Sequence, residues 1–185
     1  MMDRRWNSAW SVGRLLSLAF PYGDGGDLPP AVVAAMERGV AVHAACQEWD
    51  LGQGYTPPEP INGYLDAWKA YLRAHTPSWE EGGVERRFDS TELGYHGVID
   101  RLGTIRGGKP ACVEIKSVSA PTPSHPRTPI QLAAYTLAHY GRTRAPRVTR
   151  LEVQLRPDGS FVLFTHDLLT DFLLVDELRK EAGII

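Results

Sequence analysis

The chain has 185 residues, a formal net charge of -2 and 23% charged residues, with a sequence pI near 6.3. That length is enough for one domain with a substantial core, and the expectation is a single domain over residues 1–185 with a mainly helical part up to about residue 80. The charge excludes the overall basicity of a passive nucleic-acid binder, although clustered carboxylates can conceal a local basic surface.

In chain order, a helix is expected near Ser8 to Ala19, then a Gly/Asp/Pro loop from Pro21 to Pro30. No secretion signal or membrane span is visible, because the apolar stretch after Trp6 is short and broken by Gly13 and Arg14. Pro29 and Pro30 open an alanine-rich helix running to about Trp49, which carries Gly39 and His43 four residues apart on one face. A glycine inside a helix costs roughly 1 kcal/mol relative to alanine, so Gly39 predicts close approach of a neighbour or of a metal site. His43 reads either as a buried imidazole satisfied by a carbonyl or as a metal ligand. After a Gly/Pro-rich break at Gly52 to Pro60, Ile61 to Arg73 sets Ile61, Tyr64, Leu65, Trp68, Tyr71 and Leu72 on one helical stripe, expected to be core.

Strands follow at Gly83 to Phe88, Leu93 to Ile105 and Ala111 to Val118, with Gly107-Gly108 as the turn of a hairpin between the last two. That hairpin brings Asp100 beside Glu114, and Glu114 and Lys116, two apart in a strand, share one face. Two neighbouring carboxylates repel, and a hard divalent cation such as Mg²⁺ or Mn²⁺, held by oxygen ligands, relieves that repulsion. The carbonyl of Ile115 could add a ligand, and Lys116, its pKa lowered by the metal, would reach a phosphate or the attacking water. The plainer alternative is a salt-bridged, solvated strand face. Glu85, on the preceding strand, is either a further acidic ligand or a surface charge.

The proline-rich segment Ser119 to Arg127 is expected to be an exposed loop beside the site, able to contact or gate DNA. A helix opened by Pro129 and closed by Gly141 places Gln131 and Tyr135 on one face. That pair could contact phosphate and sugar, or could be an ordinary boundary between core and solvent. Strands at Arg147 to Leu155 and Ser160 to His166 flank Pro157-Asp158-Gly159, and a last helix runs from Leu168 to Glu181. The order implies an α/β core with a central mixed β-sheet flanked by helices. Basic residues gather at Arg86, Arg87, Arg101, Arg106, Lys109 and Arg127 and again at Arg142, Arg144, Arg147 and Arg150, with solvated surface as the default for most. Cys46 and Cys112, in an apolar helix and an apolar strand, fit buried reduced thiols and a cytoplasmic protein.

Four short motifs occur in order over about residues 31 to 140: Gly39-x-x-x-His43, Gly97-Val98-Ile99-Asp100, Glu114-Ile115-Lys116 and Gln131-x-x-x-Tyr135. This conjunction resembles the PD-(D/E)xK nuclease superfamily, in its RecB-type branch that includes phage recombination exonucleases. The resemblance implies a restriction-endonuclease-like core, with His43, Asp100, Glu114 and the Ile115 carbonyl binding Mg²⁺ or Mn²⁺. Asp100, Glu114 and Lys116 would be catalytic, and Gln131 and Tyr135, with Arg127 nearby, would face DNA. It implies a deoxyribonuclease, by resemblance an exonuclease of DNA recombination, repair or phage replication, in a bacterial cell or a phage-infected host. Some relatives hold an iron–sulfur cluster with four cysteines, and two cysteines cannot build one. No phosphate-loop motif of a helicase is present, so duplex unwinding would need a partner, such as a recombination, helicase or single-strand annealing protein. The alternatives are a catalytically silent nucleic-acid-binding or scaffold protein on the same fold and a small-molecule phosphohydrolase.

Overall fold

In a computed structural model, residues 6–21, 28–54 and 56–184 are described. They run β1 (Trp10–Ser11), α1 (Val12–Leu16), α2 (Pro30–Asp50), α3 (Asn62–His75), β2 (Ser78–Ser90), β3 (Tyr95–Ile105), β4 (Lys109–Ser117), α4 (Arg127–Arg144), β5 (Thr149–Leu155), β6 (Phe161–His166) and α5 (Thr170–Glu181). Among the described residues the strands form one six-stranded mixed sheet. The fold is therefore α/β with a central mixed sheet flanked by helices. No helix among the described residues is long and apolar enough to cross a membrane.

The sheet is organised around β3. Antiparallel β2 lies along one edge of it, while β1, parallel at Tyr95 and His96, and β4, antiparallel from Arg101 to Ile105, share the other. On that second edge Gly97 to Asp100 have no ladder partner among the described residues. β4 continues to β5 in parallel, a pairing that requires a crossover, and α4 supplies it. β6 closes the far edge antiparallel to β5.

Alternation along β4 builds two cores. Ala111, Val113 and Ile115 pack with Leu151, Val153 and Leu155 of β5 against α2 and α3. Cys112 faces the other way, where Leu102, Tyr95 and Ile99 meet α1, α4 and α5. The expected α3 stripe is core, since Ile61, Tyr64, Leu65, Trp68 and Tyr71 are buried and Leu72 is partly so. Cys46 and Cys112 are free, buried thiols. The hairpin turn also forms as read, with Gly107 and Gly108 at φ 88° and 73°.

Two expectations are corrected. The helix read near Ser8 to Ala19 shrinks to Val12–Leu16, because Trp10 and Ser11 pair in parallel with Tyr95 and His96. The Asp89 carboxylate accepts the Ser8 amide at 3.1 Å and the Ser8 hydroxyl, and His96 Nδ1 donates to the Ser8 carbonyl at 3.0 Å. These bonds draw the segment onto the sheet edge before Ser11 caps α1 by accepting the Arg14 amide at 3.0 Å. The loop read over Pro21 to Pro30 falls mostly on residues 22–27, and Tyr55 of the Gly52 to Pro60 break is likewise outside the described residues. The second correction concerns charge, because Arg101 and Arg150 are buried rather than solvated.

Arg150 stitches β5 to α5 and α4. Its guanidinium donates to Asp171 at 2.8 Å, to the Leu168 carbonyl at 2.8 Å and to the Pro129 carbonyl at 3.2 Å, over the Phe172 ring. Removing one partner of a buried pair strands the other charge at a cost of about 3–5 kcal/mol, whereas replacing both by apolar residues is often neutral. Asp171→Ala is therefore expected to lower the urea midpoint sharply, and the double variant Arg150→Met with Asp171→Leu to restore most of it; equal losses in both would refute this role.

Candidate active site

The site forms where the β3–β4 ladder stops. Arg101 pairs with Val113, and beyond this pair the Asp100 side chain, not a backbone carbonyl, accepts the Ile115 amide at 2.7 Å. The strands part at this point and the Ile115 carbonyl is presented to α2, where His43 Nε2 lies 3.0 Å from it. Nε2 therefore carries a proton and donates. The other ring nitrogen, Nδ1, is 3.5 Å from Glu85 Oε1 and 3.5 Å from Asp100 Oδ1. One ligand atom from each of His43, Glu85 and Asp100 lies within 4.8 Å of the others, a grouping able to hold a metal ion.

Glu85 reaches this cluster through a strained backbone. It sits within β2 at φ 48°, a left-handed conformation that costs a non-glycine residue on the order of 1–3 kcal/mol and persists when its surroundings over-determine it. Arg101 is the main restraint. Fully buried, it donates from Nη1 to Glu85 Oε1 at 3.0 Å and to the Asp100 carbonyl at 2.6 Å, and from Nε to Asp50 Oδ2 at 2.7 Å. Asp50 in turn accepts Trp68 Nε1 at 3.1 and 3.2 Å.

Glu114 and Lys116 share the α4 face of β4, as alternation requires. Lys116 Nζ donates to Glu114 Oε1 at 2.7 Å and lies 3.4 Å from Gln131 Oε1. Gln131 Nε2 donates to Glu114 Oε1 at 2.8 Å and to the Tyr135 hydroxyl at 2.9 Å. Both bonds fall on the same carboxylate oxygen, and Oε2 of Glu114 is buried with no hydrogen-bond partner among the described residues. A buried anionic oxygen without a donor is unfavourable, and it lies outside the His43, Glu85 and Asp100 grouping, which is the donor set that fits a metal ion.

The electrostatics point the same way. Burial, with the Glu114 charge added, pushes Asp100 up to about 7. His43 is raised to about 9, chiefly by the Asp100 charge and against its own burial. Burial also raises Glu85, but its hydrogen bond and charge contact with His43, together with Arg101, hold it below the usual carboxylate range. For Lys116 burial favours the neutral amine, and the Glu114 carboxylate outweighs it, leaving the pKa above that of an ordinary lysine. The lowering of Lys116 expected with a bound metal is not a property of the protein by itself.

The motif residues thus converge, with amendments. Gln131 is held by Glu114, and Tyr135 is buried against Phe88 in the core. Gly97 makes room for that ring, since a β-carbon there would lie 3.2 Å from Tyr135 Cε1 and 3.0 Å from Phe88 Cε1. Arg127 donates to the Gly13 carbonyl at 2.5 Å and lines a cleft with Lys116, His125, Gln131 and Tyr135. Gly39 does not meet the expected close neighbour, because its nearest contact would be Ser117 Oγ at an ordinary 3.9 Å. Arg101 and Asp50 were not singled out as site residues. The available signal was Asp50 seven residues after His43, on the same helical face, and an arginine directly after Asp100.

No family model and no curated protein matches the sequence. Among solved structures the chain is similar to SSO0001, with a TM-score of 0.40 and 17% identity over 94% of this chain and 83% of that one.

Both raised groups fix the sign of a pH effect on the metal-free protein. A group with a raised folded-state pKa stabilises below its unfolded value, and that contribution is lost as pH rises through the folded value. For Asp100 the window runs from 3.8 to about 7, and for His43 from 6.5 to about 9. Thermal unfolding in EDTA is thus expected to shift to lower temperature between about pH 5 and 9. Asp100→Asn, which keeps an acceptor for the Ile115 amide, should be more stable than the wild type at pH 8, by on the order of 1 kcal/mol. A less stable Asp100→Asn at that pH would show that the carboxylates do not repel.

Proposed function

We propose that this protein is a Mg²⁺- or Mn²⁺-dependent deoxyribonuclease, acting as an exonuclease on DNA phosphodiester bonds. The observation that carries this reading is the grouping of His43, Glu85 and Asp100 within 4.8 Å of one another, beside the Ile115 carbonyl at the break in the β3–β4 ladder, with Glu114 and Lys116 flanking Ile115 on β4. The resemblance to PD-(D/E)xK nucleases, residue by residue at those positions, supports it.

His43, Asp100, Glu114, Glu85 and the Ile115 carbonyl would hold the ion. When bound, the cation would supply Lewis-acid polarisation of the phosphoryl group and a lowered pKa for the attacking water. The protein's own part is electrostatic. Lys116, whose ammonium donates to Glu114 at 2.7 Å, would donate to the phosphoryl oxygens as charge builds there. Gln131 fixes the Glu114 carboxylate, and Tyr135 fixes Gln131. In the hydrolysis a P–O bond forms to water as the P–O bond to the leaving alkoxide breaks. The water loses one proton and the leaving oxygen gains one.

Lys116→Ala and Glu114→Ala are each expected to lower metal-dependent cleavage of end-labelled linear DNA by about 10²- to 10³-fold or more. Circular dichroism should be unchanged, since Lys116 is partly exposed and Glu114 carries an unpartnered oxygen. Cleavage of linear but not closed circular DNA marks the exonuclease, and full activity in Lys116→Ala would refute the site. DNA retention without any cleavage would mark a silent binding protein instead.

A second expectation concerns affinity. Metal ligation requires His43 to lose a proton, and His43 is raised to about 9. Binding of Mn²⁺, measured by calorimetry, should strengthen with pH up to about 9 and release protons to the buffer. His43→Gln should flatten that dependence above about pH 7, leaving the part that belongs to Asp100.

A further inference from the structure

Two clefts of unlike chemistry meet at Lys116. The first, of about 730 Å³, lies between α1 and the start of α4 and is lined by Lys116, His125, Arg127, Thr128, Gln131 and Tyr135 among others. Its lining is mixed, with Leu16, Ala19, Phe20 and Pro21 beside the cationic Lys116 and Arg127, and those two cations suit phosphate and sugar. The second, of about 810 Å³, runs along α2 and ends on Glu85, Ile115 and Lys116.

The wall of the second cleft is one helical stripe. Val32, Met36 and Val40 are four apart, and Met36, Gly39 and His43 are three and four apart, so the face that carries the imidazole also carries the aliphatic groove. Val32, Met36 and Val40 are 41%, 59% and 73% exposed, while the buried residues of α2 are Val42, Ala45 and Cys46 on another face. Gly39 leaves the middle of the wall open. A β-carbon there would meet only Ser117 Oγ at 3.9 Å, and alanine would make the better helix by about 1 kcal/mol.

Lys116 and His43 are the basic groups lining this groove among the described residues, and both already face carboxylates, so the groove has little to hold a run of phosphates. An intact duplex presents phosphates and sugars outward and keeps its base faces stacked inside, and so offers this wall nothing apolar. An unpaired base does offer an apolar face, and such faces pack on apolar side chains. We propose that the α2 groove seats an unpaired base of the substrate strand, so that the site acts on single-stranded DNA or unpaired ends rather than on intact duplex. This rests on the nuclease reading above for the nature of the substrate. The strand crosses at Lys116, with its base along Met36 and Val40 and its sugar–phosphate chain in the cleft that holds Lys116 and Arg127.

The test uses the whole protein in Ca²⁺, a single-stranded oligonucleotide carrying 2-aminopurine near its end, the blunt duplex of the same sequence and a strand with an abasic terminal position. The single strand is expected to bind at least tenfold more tightly than the duplex, with a change in 2-aminopurine emission. Met36→Glu with Val40→Glu, both at exposed positions, should weaken single-strand binding about tenfold and abolish the emission change while leaving weak duplex binding alone. The abasic strand should bind the wild type no better than the full strand binds this variant. Equal affinity for strand and duplex would overturn the proposal, as would unchanged strand binding by the variant. So would a dimer that dissociates in the variant without loss of strand binding, which would assign the groove to a second copy of the chain. Cleavage in Mg²⁺ is scored separately. Selective strand binding without cleavage removes the nuclease reading and keeps the groove, and cleavage without strand preference does the reverse.

Discussion

The hydrogen bond from the Ile115 amide to the Asp100 carboxylate is the contact on which the site depends. In an uninterrupted antiparallel ladder a backbone carbonyl of β3 would take that role, and β3 and β4 would stay closed. With a side chain as the acceptor, the ladder ends at Arg101 and Val113, and on that edge Gly97 to Asp100 are left without a ladder partner among the described residues. The Ile115 carbonyl is then free for His43 on the α2 side, while Glu114 and Lys116 stand on the α4 side. The two clefts, one of mixed lining and one mainly apolar, both reach Lys116.

Around that break in the ladder the protein concentrates negative charge that it neutralises only in part. Arg101 ties together Asp50 and Glu85, whose carboxylate belongs to a residue in a strained backbone conformation, and His43 stands against Glu85 and Asp100. Lys116 answers one oxygen of Glu114 and leaves the other without a partner. Buried acids, strain and incomplete pairing coincide here, whereas Arg150 with Asp171 is matched. Such departures from local consistency are expected at functional sites.

The parts of this arrangement that depend on short spacing were legible. Period-two alternation placed Glu114 and Lys116 together, the Gly107-Gly108 turn set Asp100 opposite them, and a four-residue step joined Gln131 to Tyr135. The central mixed sheet with flanking helices followed from element order. What depended on distant partners was not legible. Trp10 and Ser11 carry helical neighbours, yet Asp89 and His96, about eighty residues on, draw them into a strand. Arg101 reads as one more surface cation until its three acceptors are assembled from α2, β2 and β3. Glu85 could be read as ligand or surface charge, because the φ that turns it inward is a tertiary property. Gly39 suggested a close neighbour because its helical cost is local, whereas the space it leaves is visible only in the groove.

α2 carries His43 on a shallow mooring. Its buried residues, Val42, Ala45 and Cys46, lie within five positions of one another, and the proline-initiated turns before them rest largely in solvent. Segments with so little buried apolar area open at low free-energy cost, well below that of global unfolding, and their amides exchange accordingly. A cation shared between His43 and the strand carboxylates would couple ligation to docking of the helix. The N-terminal turns of α2 would then behave as a hinged arm, whose residence on the sheet is set by ion occupancy and whose release returns the apolar groove and the imidazole to water together.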